Sequence, residues 1–298
     1  MDRTRSYILI VDLPADLLQL QPLADLIRGR RVVALVGAGC STESGIPDYR
    51  GPDTIRRTRT PIQYQEFVRS ADARVRYWAR SAVGWRRIAA ARPNAAHLAL
   101  AKLEAADVVA GIITQNVDGL HEAAGSRRVV ELHGSLSAVR CLDCDDRTAR
   151  DVFQRRLLAL NSEWERRLAP DELEAAPDGD AELPATALEE FRVPACDACG
   201  NGVLKPDVVF FGENVPRPRL EEAWRVFEGG DVLLVIGSSL TVYSGRRFIY
   251  RAGEIGMPVA VMNLGPTRAD DVAAVKVEAR LGVALPALAG SLLGDHAG

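Results

Sequence analysis

The chain has no long apolar run. Its most hydrophobic stretches, such as Val232–Ile236, are strand-sized, so no membrane-spanning helix is expected. The first residues, Met1-Asp2-Arg3-Thr4-Arg5, lead into only a short apolar stretch, Tyr7–Val11. That fits neither a secretory signal nor a transit peptide, and a cytoplasmic location is the expectation. There is no excess of one charge either: 37 Lys and Arg stand against 40 Asp and Glu, net −3. Nothing in that balance calls for a nucleic-acid or anionic-membrane partner. Lysine is nearly absent, at 102, 205 and 276 only. Five cysteines, an odd number without a signal peptide, argue against a disulfide framework and for a reducing compartment. Histidine occurs four times, so few side chains can act as a base near neutral pH.

The 298 residues, 47% of them apolar, suffice for a large domain and a small one. Arg31–Val36, Val108–Thr114, Val129–Leu132, Val232–Ile236 and Val259–Asn263 are continuously apolar and rich in β-branched residues. Strands of that kind are buried on both faces, as in a parallel sheet covered by helices. Helical patterns lie between them at Pro22–Gly29, Ile62–Ala90, Asn94–Ala105 (with an N-cap at Asn94 or a start at Pro93), Leu220–Glu228 and Gly245–Gly256. The expected fold is α/β, a Rossmann-like parallel sheet with helices on both faces. Its ligands would bind at the carboxyl ends of the strands.

Two Cys-x-x-Cys pairs, Cys141/Cys144 and Cys196/Cys199, carry the strongest motif. Four thiolates at this spacing close a tetrahedral zinc site and leave no open position for chemistry. A small zinc-binding module over 135–202 is therefore expected, with Rossmann-like segments 1–134 and 203–298 around it. Between the pairs, residues 145–195 form a long insert with a helical part near Asp151–Leu168. The remaining cysteine, Cys40, reads as a small buried residue. It lies in the loop Gly37-Ala38-Gly39-Cys40-Ser41-Thr42-Glu43-Ser44-Gly45. Glycines directly after a strand let backbone N–H groups approach a pyrophosphate, although an ordinary tight turn would need them too. Thr42 stands where the dinucleotide fingerprint has its third glycine, which argues against a hydride-transferring dehydrogenase. Gln115, Asn116 and Asp118 follow a buried strand; they suit hydrogen bonds to a sugar or carboxamide, or helix capping. His133, at a strand end beside Gly134, is the best candidate base. His97 and His121 read as packing or capping residues, and His296 lies in the tail.

Together these blocks resemble the sirtuin family, the NAD-dependent protein-lysine deacylases. The matching segments are residues 37–50, Thr-Gln-Asn-Val-Asp at 114–118, Glu-Leu-His-Gly at 131–134 and both cysteine pairs. Lys-Pro-Asp-Val-Val-Phe-Phe-Gly-Glu at 205–213, Gly-Ser-Ser-Leu at 237–240 and Asn-Leu-Gly at 263–265 complete the set, over roughly 25–285. Arg76-Tyr77-Trp78-Ala79-Arg80, Tyr243-Ser244-Gly245 and Gly265-Pro266-Thr267-Arg268 resemble the class II branch, which includes a mitochondrial sirtuin and bacterial relatives.

The resemblance implies NAD as co-substrate, one structural zinc and acyl-lysine proteins as partners. It implies that the acyl group passes from lysine to ADP-ribose as nicotinamide is released, with His133 as base and Asn116 beside it. Gly37, Ala38, Gly39 and Thr42 would cradle the pyrophosphate, and Asp48, Tyr49 and Arg50 would form a mobile cofactor loop. Gln115 and Asn116 would hold the nicotinamide ribose and Asp118 the carboxamide. Gly237, Ser238, Ser239, Asn263, Leu264, Gly265 and Leu281 would face the adenosine half. The substrate backbone would add as a strand between Val209–Glu213, including Phe211 and Gly212, and Val242–Tyr243. Tyr77 and Arg80 repeat a spacing that another sirtuin branch uses for acidic acyl groups, but the surrounding sequence differs. The 145–195 insert could alter the acyl tunnel, so longer or branched acyl groups, lipoyl-like ones included, are expected over acetyl. Mono-ADP-ribosyl transfer or NAD binding without turnover are the alternatives.

Overall fold

The computed structural model describes residues 7–9, 17–49, 61–167, 183 and 188–294. In chain order its strands are β1 (Tyr7–Leu9), β2 (Val32–Val36), β3 (Val109–Thr114), β4 (Val129–Glu131), β5 (Gly134–Cys141), β6 (Arg147–Ala149), β7 (Leu204–Val208), β8 (Val232–Ile236), β9 (Val259–Met262) and β10 (Val275–Glu278). The helices are α1 (Leu17–Ile27), α2 (Tyr64–Arg69), α3 (Ala71–Ala90), α4 (Ala95–Ala105), α5 (Leu120–Ala123), α6 (Arg150–Leu160), α7 (Ser162–Arg167), α8 (Arg217–Glu228), α9 (Tyr243–Glu254) and α10 (Leu281–Leu293). None of the described helices is long and apolar enough to cross a membrane.

Seven strands form one parallel sheet in the order β1-β10-β9-β8-β2-β3-β4. Every residue of β2, β3, β8 and β9 is buried, as continuous apolar runs require. Alternate side chains serve opposite faces. Val32, Ala34, Val36, Leu234 and Ile236 pack under α1, α4 and α10. Val33, Leu35, Leu233 and Val235 pack with Ala223 and Phe227 of α8 and Phe248 of α9. Each such valine, leucine, isoleucine or phenylalanine removed from water contributes about 1.5–3 kcal/mol. Strand order runs outward in one direction from β2 to β4 and in the other from β8 to β10. The reversal at β2/β8 is the point where open α/β sheets bind ligands.

The small sheet, β6-β5-β7, is antiparallel. It draws β7 from beyond residue 202. Its core is aromatic and shared with α2, α3 and α6: Phe67, Tyr77, Trp78, Phe153 and Phe210 are buried with Cys141 and Cys196. The indole of Trp78 donates to the Leu204 carbonyl at 3.0 Å, tying α3 to β7.

Local capping corrects two expected helices. The 62–90 pattern is divided at Ser70, whose hydroxyl accepts from the Ala73 N–H and starts α3 afresh. The Asp151–Leu168 pattern is interrupted at Asn161, whose amide donates to the Leu157 and Arg192 carbonyls instead of continuing the helix. Asn94 does cap α4: its Oδ1 accepts from Ala96 and His97, and His97 returns a ring nitrogen to the Asn94 N–H.

Candidate active site

The turns after β2 and β8 are pressed against each other. Gly37 donates to the Ile236 carbonyl and Gly39 to the Gly237 carbonyl, both at 2.9 Å. A Cβ on Gly37 would stand 2.7 Å from Ser238 Cβ, and one on Gly237 would stand 2.6 Å from the Cys40 nitrogen. Gly237 also has a φ of +60°, which other residues resist. Close packing of backbone on backbone thus explains these glycines without reference to any ligand. The same turns line a cleft of about 840 Å³.

Polar side chains at the strand ends are tightly organised. The Gln115 amide donates to Ser238 Oγ at 2.8 Å. Asn116 Nδ2 donates to the Gly37 carbonyl and to Ser41 Oγ, both at 3.1 Å. Ser41 in turn donates to Asp118 Oδ2 at 2.7 Å, and Asp118 Oδ1 accepts from the Leu120 N–H at 3.0 Å. Asp118 thus turns the chain into α5 by accepting from its first N–H and faces the cleft at once.

His133 stands where the two sheets meet. Leu132 donates to the Thr114 carbonyl of the large sheet, while the His133 carbonyl accepts from Val209 at 2.7 Å. Gly134 turns the chain with a φ of +81°, and a Cβ there would fall 2.0 Å from the Asp207 carbonyl oxygen. The ring is fixed at both ends. Nδ1 lies 2.8 Å from the Gln115 carbonyl oxygen and Nε2 lies 2.6 Å from Ser244 Oγ. A carbonyl only accepts, so Nδ1 carries the proton and Nε2 presents its lone pair to the Ser244 hydroxyl. Burial, with Arg219 and Arg247 nearby, holds the imidazole below its ordinary pKa against the pull of the Gln115 hydrogen bond. The ring is neutral at pH 7 and basic at the nitrogen that faces the cleft.

The segment after β7 forms the opposite wall. Lys205, itself buried, pairs with Glu213 at 2.9 Å, and Glu213 accepts from the Phe210 N–H at 2.8 Å. Burial lowers the Lys205 pKa. Val209 to Glu213 is thereby curled against the small sheet, with Phe211 bridged to Gln63.

The four paired cysteines converge. Cys141 and Cys199 sulfurs are 3.8 Å apart, and Cys144 and Cys196 sulfurs 3.7 Å. A tetrahedron with metal–sulfur bonds of about 2.3 Å has edges of about 3.8 Å. A Cβ on Gly202 would sit 2.2 Å from the Cys141 sulfur. The donor set and its spacing fit a structural zinc ion, held away from the cleft.

A model of the Sir2 family matches residues 37–244. The chain belongs to the Sir2 family. It is 53% identical over 251 residues to an NAD-dependent protein deacetylase of Xanthomonas campestris, covering 84% of each chain. It is 48% identical over 300 residues to NAD-dependent protein deacetylase 1 of Streptomyces coelicolor, covering 100% of this chain and 99% of that one. Among solved structures, it aligns with a Sir2 enzyme at a TM-score of 0.70 and 32% identity, covering 93% of this chain and 99% of the other. A Sir2–p53 peptide–NAD+ structure aligns at 0.69 and 30%, covering 93% and 98%.

In this Sir2 chain one cleft collects most of the residues singled out from sequence. Gly37, Ala38, Gly39, Asp48, Tyr49, Gln115, Asn116, Asp118 and His133 line it, as do Gly237, Ser238, Ser239, Asn263, Leu264 and Gly265. Val209, Phe211, Gly212, Glu213, Val242 and Tyr243 line it too. Thr42 and Leu281 are not among the lining residues: Thr42 turns its hydroxyl back to donate to the Gly39 carbonyl within the loop, and Leu281 packs behind Gly237. Arg50 lies outside the described residues. Of the Tyr77–Arg80 pair, Tyr77 lines the cleft and Arg80 does not. Sequence reasoning missed Ser244 and Arg247 in the cleft wall; the Tyr-Ser-Gly block was visible, but nothing local marks its serine as a partner of His133.

Proposed function

We propose that this protein is an NAD-dependent protein-lysine deacylase. The carrying observation is His133: neutral, with Nδ1 committed to a backbone carbonyl and Nε2 aimed into a cleft between the glycine turns and the Val209–Glu213 wall. NAD, when bound, supplies the ribose carbon that receives the acyl oxygen as nicotinamide leaves. The residues that would hold it are the backbone of Gly37, Ala38 and Gly39, Gln115 and Asn116 toward the nicotinamide ribose, Asp118 toward the carboxamide, and Ser238, Ser239, Asn263, Leu264 and Gly265 toward the adenosine. Leu281 would support the adenosine half from behind Gly237 and Thr42 the glycine turn, while Asp48, Tyr49 and Arg50 would belong to the cofactor loop.

His133 Nε2 takes a proton from a substrate hydroxyl, which must replace or share the Ser244 hydrogen bond. The charge it gains is stabilised at Nδ1 by the Gln115 carbonyl. The Asn116 side chain, fixed by Gly37 and Ser41, holds its carboxamide oxygen ready to accept a hydrogen bond. A peptide would lie as a strand between Val209–Glu213 and Val242–Tyr243, reading few side chains. On this reading the Rossmann-like part, 1–134 with 203–298, carries the chemistry. The part from 135 to 202 carries the zinc, held by Cys141, Cys144, Cys196 and Cys199, which shapes the wall and takes no part in catalysis.

The acyl preference belongs to the same proposal. The cleft also takes in Ile46, Ile62, Tyr77, Val117 and Phe210. That apolar lining supports acyl groups longer or branched beyond acetyl; none of the described residues of the 145–195 insert lines the cleft, and 168–182 and 184–187 lie outside the described residues. The test is nicotinamide release with a panel of acyl-lysine peptides, from acetyl through succinyl, branched, long-chain and lipoyl, with mass detection of peptide and acyl-ADP-ribose. Turnover that rises with apolar chain length is expected. Faster turnover of acetyl than of every longer chain overturns the acyl assignment. No turnover on any peptide, with ADP-ribose appearing on protein, overturns the deacylase reading in favour of ADP-ribosyl transfer.

A further inference from the structure

Three side chains that the cleft does not use meet beneath its glycine loop. Cys40 comes from the turn after β2, His97 from the first turn of α4 and His121 from α5. Their exposures are 1%, 0% and 2%. The cysteine sulfur and one nitrogen of each imidazole lie within 4.8 Å of one another. The two rings stack at a tilt, with centroids 4.7 Å apart.

Hydrogen bonding around this cluster does not close. His97 turns Nδ1 toward Asn94, whose Oδ1 is 3.0 Å away. His97 Nε2 has no partner among the described residues, and neither ring nitrogen of His121 has one. A neutral imidazole owns one N–H and one lone pair. Either tautomer of His121 therefore buries an unanswered donor and an unanswered acceptor, at about 1–3 kcal/mol each. Protonation brings no relief: burial and the neighbouring His97 push the His121 pKa down to about 3, and burial pushes the Cys40 thiol up.

We propose that Cys40, His97 and His121 form a second metal site, buried and distinct from the four-cysteine cluster, that takes a soft transition ion, Cu⁺ or Zn²⁺. Binding replaces the Cys40 S–H bond with a sulfur–metal bond and releases that proton to solvent. The two imidazoles bind as neutral ligands through lone pairs that are otherwise unused. One thiolate with two imidazoles is a donor set for these ions. Bonds of about 2.0 Å to nitrogen and about 2.3 Å to sulfur at tetrahedral or trigonal angles place the donors about 3.3–3.7 Å apart, inside the 4.8 Å limit that the three donor atoms already meet. His97 Nδ1 lies 3.3 Å from the Asn94 N–H and 3.0 Å from Asn94 Oδ1, so Asn94 orients the ring; a metal on Nε2 selects the Nδ1–H tautomer, which gives up the bond from the Asn94 N–H and donates to Oδ1. The Asp118 carboxylate acts on both Cys40 and His97 from nearby, and its charge favours a cation there. The inference goes beyond the deacylase reading and does not depend on it.

The test is metal stoichiometry on the full-length, zinc-loaded protein, dialysed against chelator-buffered Cu⁺ and, separately, Zn²⁺, with copper and zinc counted by elemental analysis. Wild type should hold two ions per chain, one zinc on the four-cysteine cluster and one further ion. Cys40→Ala and His121→Gln should each hold one. With Cu⁺, a thiolate charge-transfer band should grow with the second ion and be missing in Cys40→Ala. A wild-type count that stays at one ion per chain through the titration overturns the site, whether or not the variants fold. So does a second ion retained in Cys40→Ala.

Discussion

The large sheet and the small one are stabilised by different means. In the large sheet every residue of β2, β3, β8 and β9 is buried, and helices on both faces complete the packing. The small sheet exposes or half-exposes alternate residues of β5 and leans on an aromatic cluster borrowed from α2 and α3. Its remaining anchor is four thiols at the spacing of a closed metal site. One layer is covered by its own helices; the other carries a donor set that fits a zinc ion. His133 stands where they join, so on the proposed reading activity would depend on both while the chemical groups sit mostly on the first.

If that division is right, loss of chemistry and loss of structure are separable. His133→Ala should show the largest effect, lowering kcat/KM by about 10²–10⁴ as expected for a lost general base. Zinc content, thermal unfolding and NAD binding by calorimetry should stay at wild-type values. A variant that sheds zinc or unfolds early would make the histidine a structural joint instead.

Cys141→Ala attacks the other layer. Cys141 is fully buried in the aromatic cluster as well as being a thiol of the metal site. Its loss should release the zinc and destabilise the protein by more than about 4 kcal/mol, the range of lost metal sites. Elemental analysis and a thermal melt check it; unchanged zinc would refute the four-thiolate site. Gly237→Ala probes the large sheet at its switch point. The added Cβ meets the Cys40 nitrogen at 2.6 Å in a backbone conformation with φ of +60°. About 1–3 kcal/mol of strain should appear as weaker NAD binding with zinc retained.

The same contrast explains what the sequence disclosed. The four strands buried along their whole length, β2, β3, β8 and β9, were legible because a continuous apolar run has no other comfortable place in a covered sheet; β4, expected to be like them, is half-buried at Val129 and Glu131. β10, with Lys276 and Glu278 in it, and β7, with Lys205 and Pro206, have no such run, and their pairing rests on tertiary context. Ser70 and Asn161 divide helices by hydrogen bonds that periodicity does not register. At the site, His133, the glycine turns and the paired cysteines stood out because each motif carries its chemistry locally. Ser244 lies 111 residues from His133 along the chain, and only the fold joins them. The expected burial of Cys40 and the packing and capping expected of His97 and His121 match their places in the core. Their convergence could not be read from three separate motifs.

Ser244→Ala sharpens the comparison most finely, because it removes one hydrogen bond and little else. The Ser244 hydroxyl donates to the Nε2 lone pair and so stabilises the neutral ring. Without it, the His133 pKa should rise from its lowered value. A protonated imidazole is no base, so the rate falls as pH drops through this pKa, and a raised pKa starts the fall earlier. A neutral hydrogen bond is worth about 0.5–1.5 kcal/mol, and one pKa unit corresponds to about 1.4 kcal/mol. The acidic limb of the kcat/KM profile should therefore move up by as much as about one pH unit, with little change at pH values above both limbs. Ser244→Thr, which keeps the hydroxyl, should restore the wild-type profile. A serine that merely fills space would lower the melting temperature in the alanine variant and leave the limb where it was.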